Sequence, residues 1–238
     1  MEFVPLQAGD WSFVATNWWY LFLGTIVTIL LTVSSLSLGL LAGFPAGAIE
    51  VYGSGRLEAA VSTAGVILRG TPIVALIVLF YFGLPIPRLG TFPLVDVQLQ
   101  AFVAATLALG LRSAAYQSQV FRGAIQSIGE GQMEAARSLG MSQRAAIRHV
   151  IFPQAIRRSI PGFQNEFTIV LKDTSVAFAI GLAELLTRAE RLYLQPGRDT
   201  AVMEVIVTIS AIYFVLTFTT NRALDHLEDA YAIPEGNG

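Results

Sequence analysis

The chain has 238 residues, of which 54% are hydrophobic and 13% charged, with a formal net charge of −2 and a mean hydropathy of +0.60. A soluble domain carries about a quarter of its residues charged, so these values exclude an ordinary water-soluble fold and point to one polytopic membrane domain. The absence of cysteine removes disulfides, thiolate metal sites and a cysteine nucleophile.

Residues 1–17 hold Glu2 and Asp10 and neither Lys nor Arg, and they lack the basic and short apolar regions of a cleaved signal peptide. Trp11, Trp18, Trp19 and Tyr20 read as an interfacial aromatic belt. A first span is predicted over 19–48, long enough to cross a ~30 Å core with some tilt. Within it Gly39, Gly43 and Gly47 recur every four residues, a spacing that lets helix backbones approach closely. A short loop over 50–58 carries Arg56, and a second span over 59–82 is interrupted at Leu68-Arg69-Gly70-Thr71-Pro72. Gly83-Leu84-Pro85-Ile86-Pro87 opens an extended loop to about Gln98, and a third span over 99–120 contains Arg112 and Tyr116.

A polar insert of helical composition follows, about 122–161. It carries Arg137, Arg144, Arg148, Arg157 and Arg158 with His149 between them, the longest arginine-bearing run in the chain. Such an insert between spans is a natural contact surface for a cytoplasmic partner. The next segment, 162–185, contains Glu166, Lys172, Asp173 and Glu184, and its longest uncharged run is 174–183, too short to span alone. It reads as a fourth span because apolar stretches at 167–171 and 176–182 flank the charged pair. A loop with Arg188, Arg191 and Arg198, a last span over 202–219 and a short amphipathic tail complete the chain.

The expected fold class is therefore an all-α polytopic membrane protein with five transmembrane helices. With the N-terminus outside and the C-terminus cytoplasmic, the cytoplasmic segments hold Arg56, Arg122, Arg137, Arg144, Arg148, Arg157, Arg158 and Arg222, and the outside holds Arg88, Arg188, Arg191 and Arg198. That asymmetry favours this orientation. The expected division is an external segment at 1–18, one transmembrane domain at 19–224 and a cytoplasmic tail at 225–238.

Lys172 is the only lysine, and Leu171 precedes it. A Walker A loop needs a Gly-Lys-Ser/Thr step, so ATP phosphates are not cradled here in that way. His149 and His226 lie in no HExxH pattern, and no GxSxG elbow occurs. No catalytic residue, metal site or cofactor is expected, and any energy source must be a gradient or another chain.

Glu134-Ala135-Ala136, Gly140 three residues on, and Val150-Ile151-Phe152-Pro153 resemble the EAA motif of ATP-binding-cassette (ABC) importer permeases, with Val and Phe in place of the usual Ile and Leu. Arg69-Gly70-Thr71-Pro72, Tyr81-Phe82-Gly83-Leu84-Pro85, Tyr116 with Arg122-Gly123, Pro153-Gln154-Ala155 and Leu171-Lys172-Asp173-Thr174-Ser175 resemble the polar amino acid (histidine/glutamine/arginine) subfamily. The resemblance covers about 24–224. It implies a type I fold of five membrane helices in a prokaryotic cell membrane and a homo- or heterodimer of permeases. It also implies two cytoplasmic ATPase subunits, an external solute-binding protein and a polar amino acid substrate. One departure stands out: where such permeases commonly have Tyr-x-Ala-Glu, this chain reads Tyr116-Gln117-Ser118-Gln119. The carboxylate at 119 is replaced by an amide, and preference for a cationic substrate is put in doubt.

The resemblance makes Glu134, Ala135, Ala136, Leu139 and Gly140 the ATPase-coupling residues. Met133, Ala136, Leu139 and Gly140 fall near one helix face, and the small Ala135 and Ala136 let a partner approach closely. Glu134 is placed in the first turn, where a carboxylate complements the helix dipole. Gly140 suits a left-handed helix terminus, and Ser142 can N-cap the next helix. An amphipathic helix lying at the lipid interface is the alternative.

Lys172 and Asp173 each cost about 2.5–3.5 kcal/mol near a helix centre, and such groups face a cavity or a partner. Asp173, with Thr174, is the expected contact for a substrate ammonium group, the alternative being a structural role near the cytoplasmic end. Gly70 allows a break, Thr71 is a candidate N-cap, and Pro72 suits the first helical position; a half-helix N-terminus there would attract a carboxylate. A simple proline kink with Arg69 snorkelling is the alternative. Tyr116 and Gln119 complete the expected substrate-facing set. A gradient-driven secondary amino acid carrier using Asp173 as an ion site is the rival function, and it predicts an inverted repeat that the sequence does not display. A membrane-anchored scaffold is a third, and it leaves Asp173 without a purpose.

Overall fold

The computed structural model describes residues 11–87, 90–196 and 201–231. The first ten residues, Arg88, Arg198 and the end of the tail lie outside the described residues. The architecture is almost wholly helical: α1 (Trp11–Thr16), α2 (Trp18–Tyr52), α3 (Gly55–Gly70), α4 (Ile73–Gly83), α5 (Leu99–Ser127), α6 (Glu130–Ser138), α7 (Gln143–Ala146), α8 (Phe152–Asp173), α9 (Leu185–Tyr193) and α10 (Val202–Tyr231). The loop after α4 contains a small antiparallel hairpin, β1 (Thr91–Phe92) with β2 (Val97–Gln98), which the sequence reading does not contain.

Among the described residues three helices are long and apolar enough to cross a bilayer: α2, α5 and residues 202–226 of α10. The pair α3 and α4 passes the same test only jointly. The expected fourth span over 162–185 is not one helix. α8 ends at Asp173, a 3-10 stretch follows over Thr174–Ile180, and Gly181 closes it at φ 72°. The hydroxyls of Thr174 and Ser175 donate back three residues, to Leu171 O and Lys172 O, each at 2.7 Å, which suits the tighter 3-10 turn. α8 itself buries Ala155, Ser159, Glu166 and Val170 along one face. Hydropathy scores it poorly because Gln154, Arg157, Arg158, Gln164, Asn165, Glu166, Lys172 and Asp173 all fall within it. Other boundaries move as well: α2 runs on to Tyr52, α3 starts at Gly55, α5 runs through Arg122 to Ser127, α8 starts at Phe152, and the expected separate tail helix is the continuation of α10 to Tyr231.

The chain forms two compact units, one of residues 1–34, 73–108 and 171–219, the other of 35–72, 109–170 and 220–238. The first has a core of Phe13, Val14, Leu21, Leu185, Ala189, Leu192, Ala201, Val205 and Ile209, and α4 packs on the 3-10 stretch. The second has a core of Phe121, Ala124, Ile125, Ile128, Ile151 and Ala155, flanked by Phe44, Ala48, Val51, Met133 and Val150.

In the second unit the glycine stripe does what its spacing predicts. A Cβ on Gly43 would lie 2.8 Å from Ala114 O, one on Gly47 2.7 Å from Ser118 O, and one on Gly39 2.9 Å from Ser113 Oγ. α2 thus lies directly on the α5 backbone. Gly43→Val is expected to lower the melting temperature of the detergent-purified protein, because overpacking against a backbone carbonyl costs about 1–3 kcal/mol. Gly123→Ala on α5, where nothing lies within 4 Å, should leave it unchanged or slightly raised.

Candidate functional site

The segment 130–153 is built from turn chemistry outward. α6 ends in a left-handed turn at Gly140, φ 83°. Gly140 N donates to Arg137 O at 2.9 Å and Met141 N to Ala136 O at 3.1 Å; this pair is the Schellman arrangement that satisfies the last carbonyls of a helix. Ser142 then caps α7, its hydroxyl accepting from Ala145 N at 3.3 Å. α7 passes through a π turn, Ile147–Ile151, into α8. Pro153 sits one residue into α8; it has no N–H to give, and its ring crowds the carbonyl four residues back, which the wider π turn relieves.

The lead-back is anchored by aromatic packing. Phe44 and Phe121 meet edge to face at 4.6 Å between ring centroids, and Phe152 lies 5.6 Å from Phe121 and 6.3 Å from Phe44. Phe163 completes the cluster, 5.2 Å from Phe44. Arg158 Nη1 donates to Ser127 O at 2.6 Å, tying α8 to the end of α5.

The sequence places Met133, Ala136 and Leu139 on one face, but the structure separates them. Ala136 is buried and Met133 packs on the core, whereas Leu139 is 84% exposed. Glu134 and Ala135 are exposed as well. Ala136 therefore fixes the helix to its own unit, and the outward surface is Glu134, Ala135, Leu139 and Gly140. Leu139 turns away because it is the C-cap residue, already leaving helical geometry. The first-turn carboxylate is Glu130, since α6 starts there; Glu134 falls one turn later.

Of the expected substrate-facing residues, Gly70, Thr71, Tyr116 and Gln119 belong to the second unit, and Asp173 and Thr174 to the first. Thr71 is the C-cap of α3, not an N-cap: its hydroxyl donates to Ile67 O at 2.7 Å. The break falls at Thr71-Pro72, and Gly70 is the last residue of α3 with no positive φ. Arg69 does not snorkel away, as its Nη1 donates to Ala115 O at 2.7 Å. This brings the α3 terminus beside Tyr116, whose ring carries the Arg112 guanidinium at 5.3 Å. Asp173 is half-buried, while Thr174 is fully buried with its hydroxyl engaged.

Gln119 finds a partner that sequence reasoning missed. Its Nε2 donates to Glu50 Oε2 at 2.6 Å, and Arg122 Nη1 reaches the same oxygen at 3.4 Å. Glu50 is buried in α2, where the sequence placed a loop. A carboxylate at 119 would face another carboxylate, so the amide and Glu50 are matched. A second missed node surrounds α9. Glu184, fully buried, accepts from Thr187 N at 2.7 Å, Leu186 N at 2.9 Å and the Tyr213 hydroxyl at 3.1 Å. The neighbouring Arg188 is also buried, and burial pulls its pKa below the usual guanidinium range. The Glu50–Gln119 pair has no signal in sequence spacing, because its members are 69 residues apart; at the second node Glu184 is the local N-cap of α9, and only its Tyr213 contact is distant.

Comparison with known proteins matches residues 35–232 to the family described as "Binding-protein-dependent transport system inner membrane component". The chain belongs to that family: it is a multi-pass membrane permease subunit of a bacterial ABC importer, a transport component whose ATPase is a separate chain. The octopine transport system permease protein OccQ of Rhizobium meliloti is 36% identical over 203 residues, covering 84% of each chain. The glutamine transport system permease protein GlnP of Escherichia coli is 32% identical over 219 residues, covering 92% of this chain and 96% of that one. A crystal structure of an amino acid ABC transporter with histidines superposes with a TM-score of 0.80 at 31% identity, covering 94% of this chain and all of that one. A methionine ABC transporter in an inward-facing conformation shares the fold, with a TM-score of 0.71 at 21% identity over 92% of this chain. The permease reading from the sequence is thus borne out, and nothing favours a gradient-driven carrier.

The matched pair at 50 and 119 predicts that Gln119→Glu, which sets two carboxylates within about 3 Å, destabilises the protein by about 1–3 kcal/mol. Adding Glu50→Gln should restore most of the loss, a coupling that a thermal-melt double-mutant cycle in detergent would read out.

Proposed function

We propose that this subunit carries polar amino acids and that residues 134–140 are the helix through which cytoplasmic ATPases drive it. The carrying observation is the construction of that segment: an exposed Glu134, Ala135 and Leu139 presented on a helix pinned by Ala136 and closed by a hydrogen-bonded turn at Gly140. A rigid element in a partner groove transmits displacement both ways. Relatives named for glutamine and octopine transport, and a solved relative described as an amino acid transporter, support the substrate class.

In this reading the chain crosses the membrane five times, N-terminus outside. The cytoplasmic loops of this reading are those at 50–58 and 122–161. The helical part of the fourth crossing is residues 162–173 of α8, about 18 Å at 1.5 Å per residue, and the 3-10 stretch Thr174–Ile180 continues it. The working assembly has a second permease subunit, two ATPase subunits and an external binding protein. Gly70, Thr71, Tyr116, Gln119 and Asp173 are the residues assigned here to solute contact, and Thr174 shapes the turn after Asp173.

In proteoliposomes containing the full transporter, Glu134→Lys should reduce ATP-dependent uptake of a polar amino acid at least about tenfold, with the permease still present in the membrane. Intact uptake would remove the coupling role. Asp173→Asn should lower uptake while leaving the melting temperature near that of the parent; unchanged transport in a folded variant would remove Asp173 from the path.

A further inference from the structure

We infer that Arg188 is a positioning residue. It latches the hairpin 91–98 to the helices of its unit, so that a binding protein meeting the hairpin acts on those helices instead of on a loose loop. The inference rests on the importer reading above.

The geometry is specific. Arg188 lies in the first turn of α9 and is 2% exposed. Its Nε donates to Ala183 O at 2.9 Å, and its Nη2 donates to Val95 O in the hairpin. The guanidinium sits 4.6 Å from the centroid of the Tyr20 ring on α2. Gly24, one turn further along α2, leaves room for it: a Cβ there would lie 2.8 Å from Arg188 Cδ and 2.9 Å from Leu185 Cα. One turn away, Glu184 fixes the start of α9 to α10 through Tyr213, and Leu185 N donates to Thr28 Oγ1 of α2 at 3.3 Å. Hairpin, α2, α9 and α10 thus converge on two adjacent buried charges.

Burying a guanidinium is expensive unless each donor direction is used. Arg188 spends that burial on the backbone carbonyl of a loop residue rather than on the helices alone. The hairpin has little else to hold it: its strands are two residues each, Val97 is its buried side chain, and Leu94 and Phe92 are 81% and 52% exposed. Exposed apolar groups on a loop that hydropathy places outside the spans suit a protein partner. Asp96, held at φ 47°, makes the bend that turns Val95 O toward Arg188; an aspartate tolerates this conformation better than most residues. Lysine in place of Arg188 keeps the charge but cannot reach two carbonyls with a planar fork.

The test uses the complete transporter in proteoliposomes with its ATPase subunits and binding protein. Arg188→Lys and Arg188→Met are expected to assemble and to keep basal ATP hydrolysis, while stimulation by solute-loaded binding protein falls at least about fivefold. Stimulation equal to the parent in either assembled variant overturns the latch. If neither assembles, Leu94→Asp at the exposed tip decides: the latch predicts weakened stimulation with unchanged basal hydrolysis, and full stimulation overturns it. If the parent itself shows no stimulation by any solute-loaded binding protein, the importer reading falls, and the latch with it.

Discussion

A polar group withdrawn from water must find a partner, and in a protein bathed by hydrocarbon that constraint is close to absolute. Much of this structure follows from it. Glu184 accepts from two backbone N–H groups, a threonine and a tyrosine. Arg188 uses two carbonyls and a ring face. Glu50 collects an amide and a guanidinium on one oxygen. Each group has at least one partner far away in sequence: Tyr213 for Glu184, Val95 and Tyr20 for Arg188, Gln119 and Arg122 for Glu50, so the charges that weaken membrane partition also define tertiary contacts.

On the proposed reading, mechanical coupling needs the opposite of a flexible loop, and the 130–153 segment would meet that need with local turn chemistry. A left-handed glycine, a serine cap and a proline-relieving π turn define its path. Ala136 and the Phe44–Phe121–Phe152 contacts then tie both ends to the same core. A push on the exposed Leu139 is therefore received by α2, α5 and α8 together, because the aromatic cluster leaves no slack between them.

Legibility in the sequence divides along the same line. Composition exposes α2, α5 and α10, because each contains an apolar run long enough to cross a bilayer. Gly39, Gly43 and Gly47 announce a close helix contact, and Gly140 with Ser142 announces a turn, since both effects depend on neighbours in sequence. Thr71 is ambiguous in sequence because a threonine beside proline fits either side of a helix break, and only the hydrogen bond to Ile67 O decides. Gln119 looked like a lost charge because Glu50, 69 residues away, could not be paired with it by spacing. The Arg188 acceptors are carbonyls, which carry no residue-type signal at all.

On the five-crossing reading proposed above, α8 is where hydropathy fails most, and the failure is informative. A conduit for polar solutes cannot be walled by hydrocarbon on every side, since a zwitterion passing through would meet the same desolvation penalty as in the bilayer. Some crossing helix must then carry polar groups at the expense of its own partition, and must be held by neighbours rather than by lipid. α8 has that character: Ser159 and Glu166 lie in its buried stripe, while Gln164 and Thr168 bond Asp225 and Asn221 of α10 at 2.6 and 2.8 Å. On the proposed reading, the helix least recognisable as membrane-spanning is the one whose composition transport dictates, and the hydrogen bonds to α10 are what allow it to remain in the membrane.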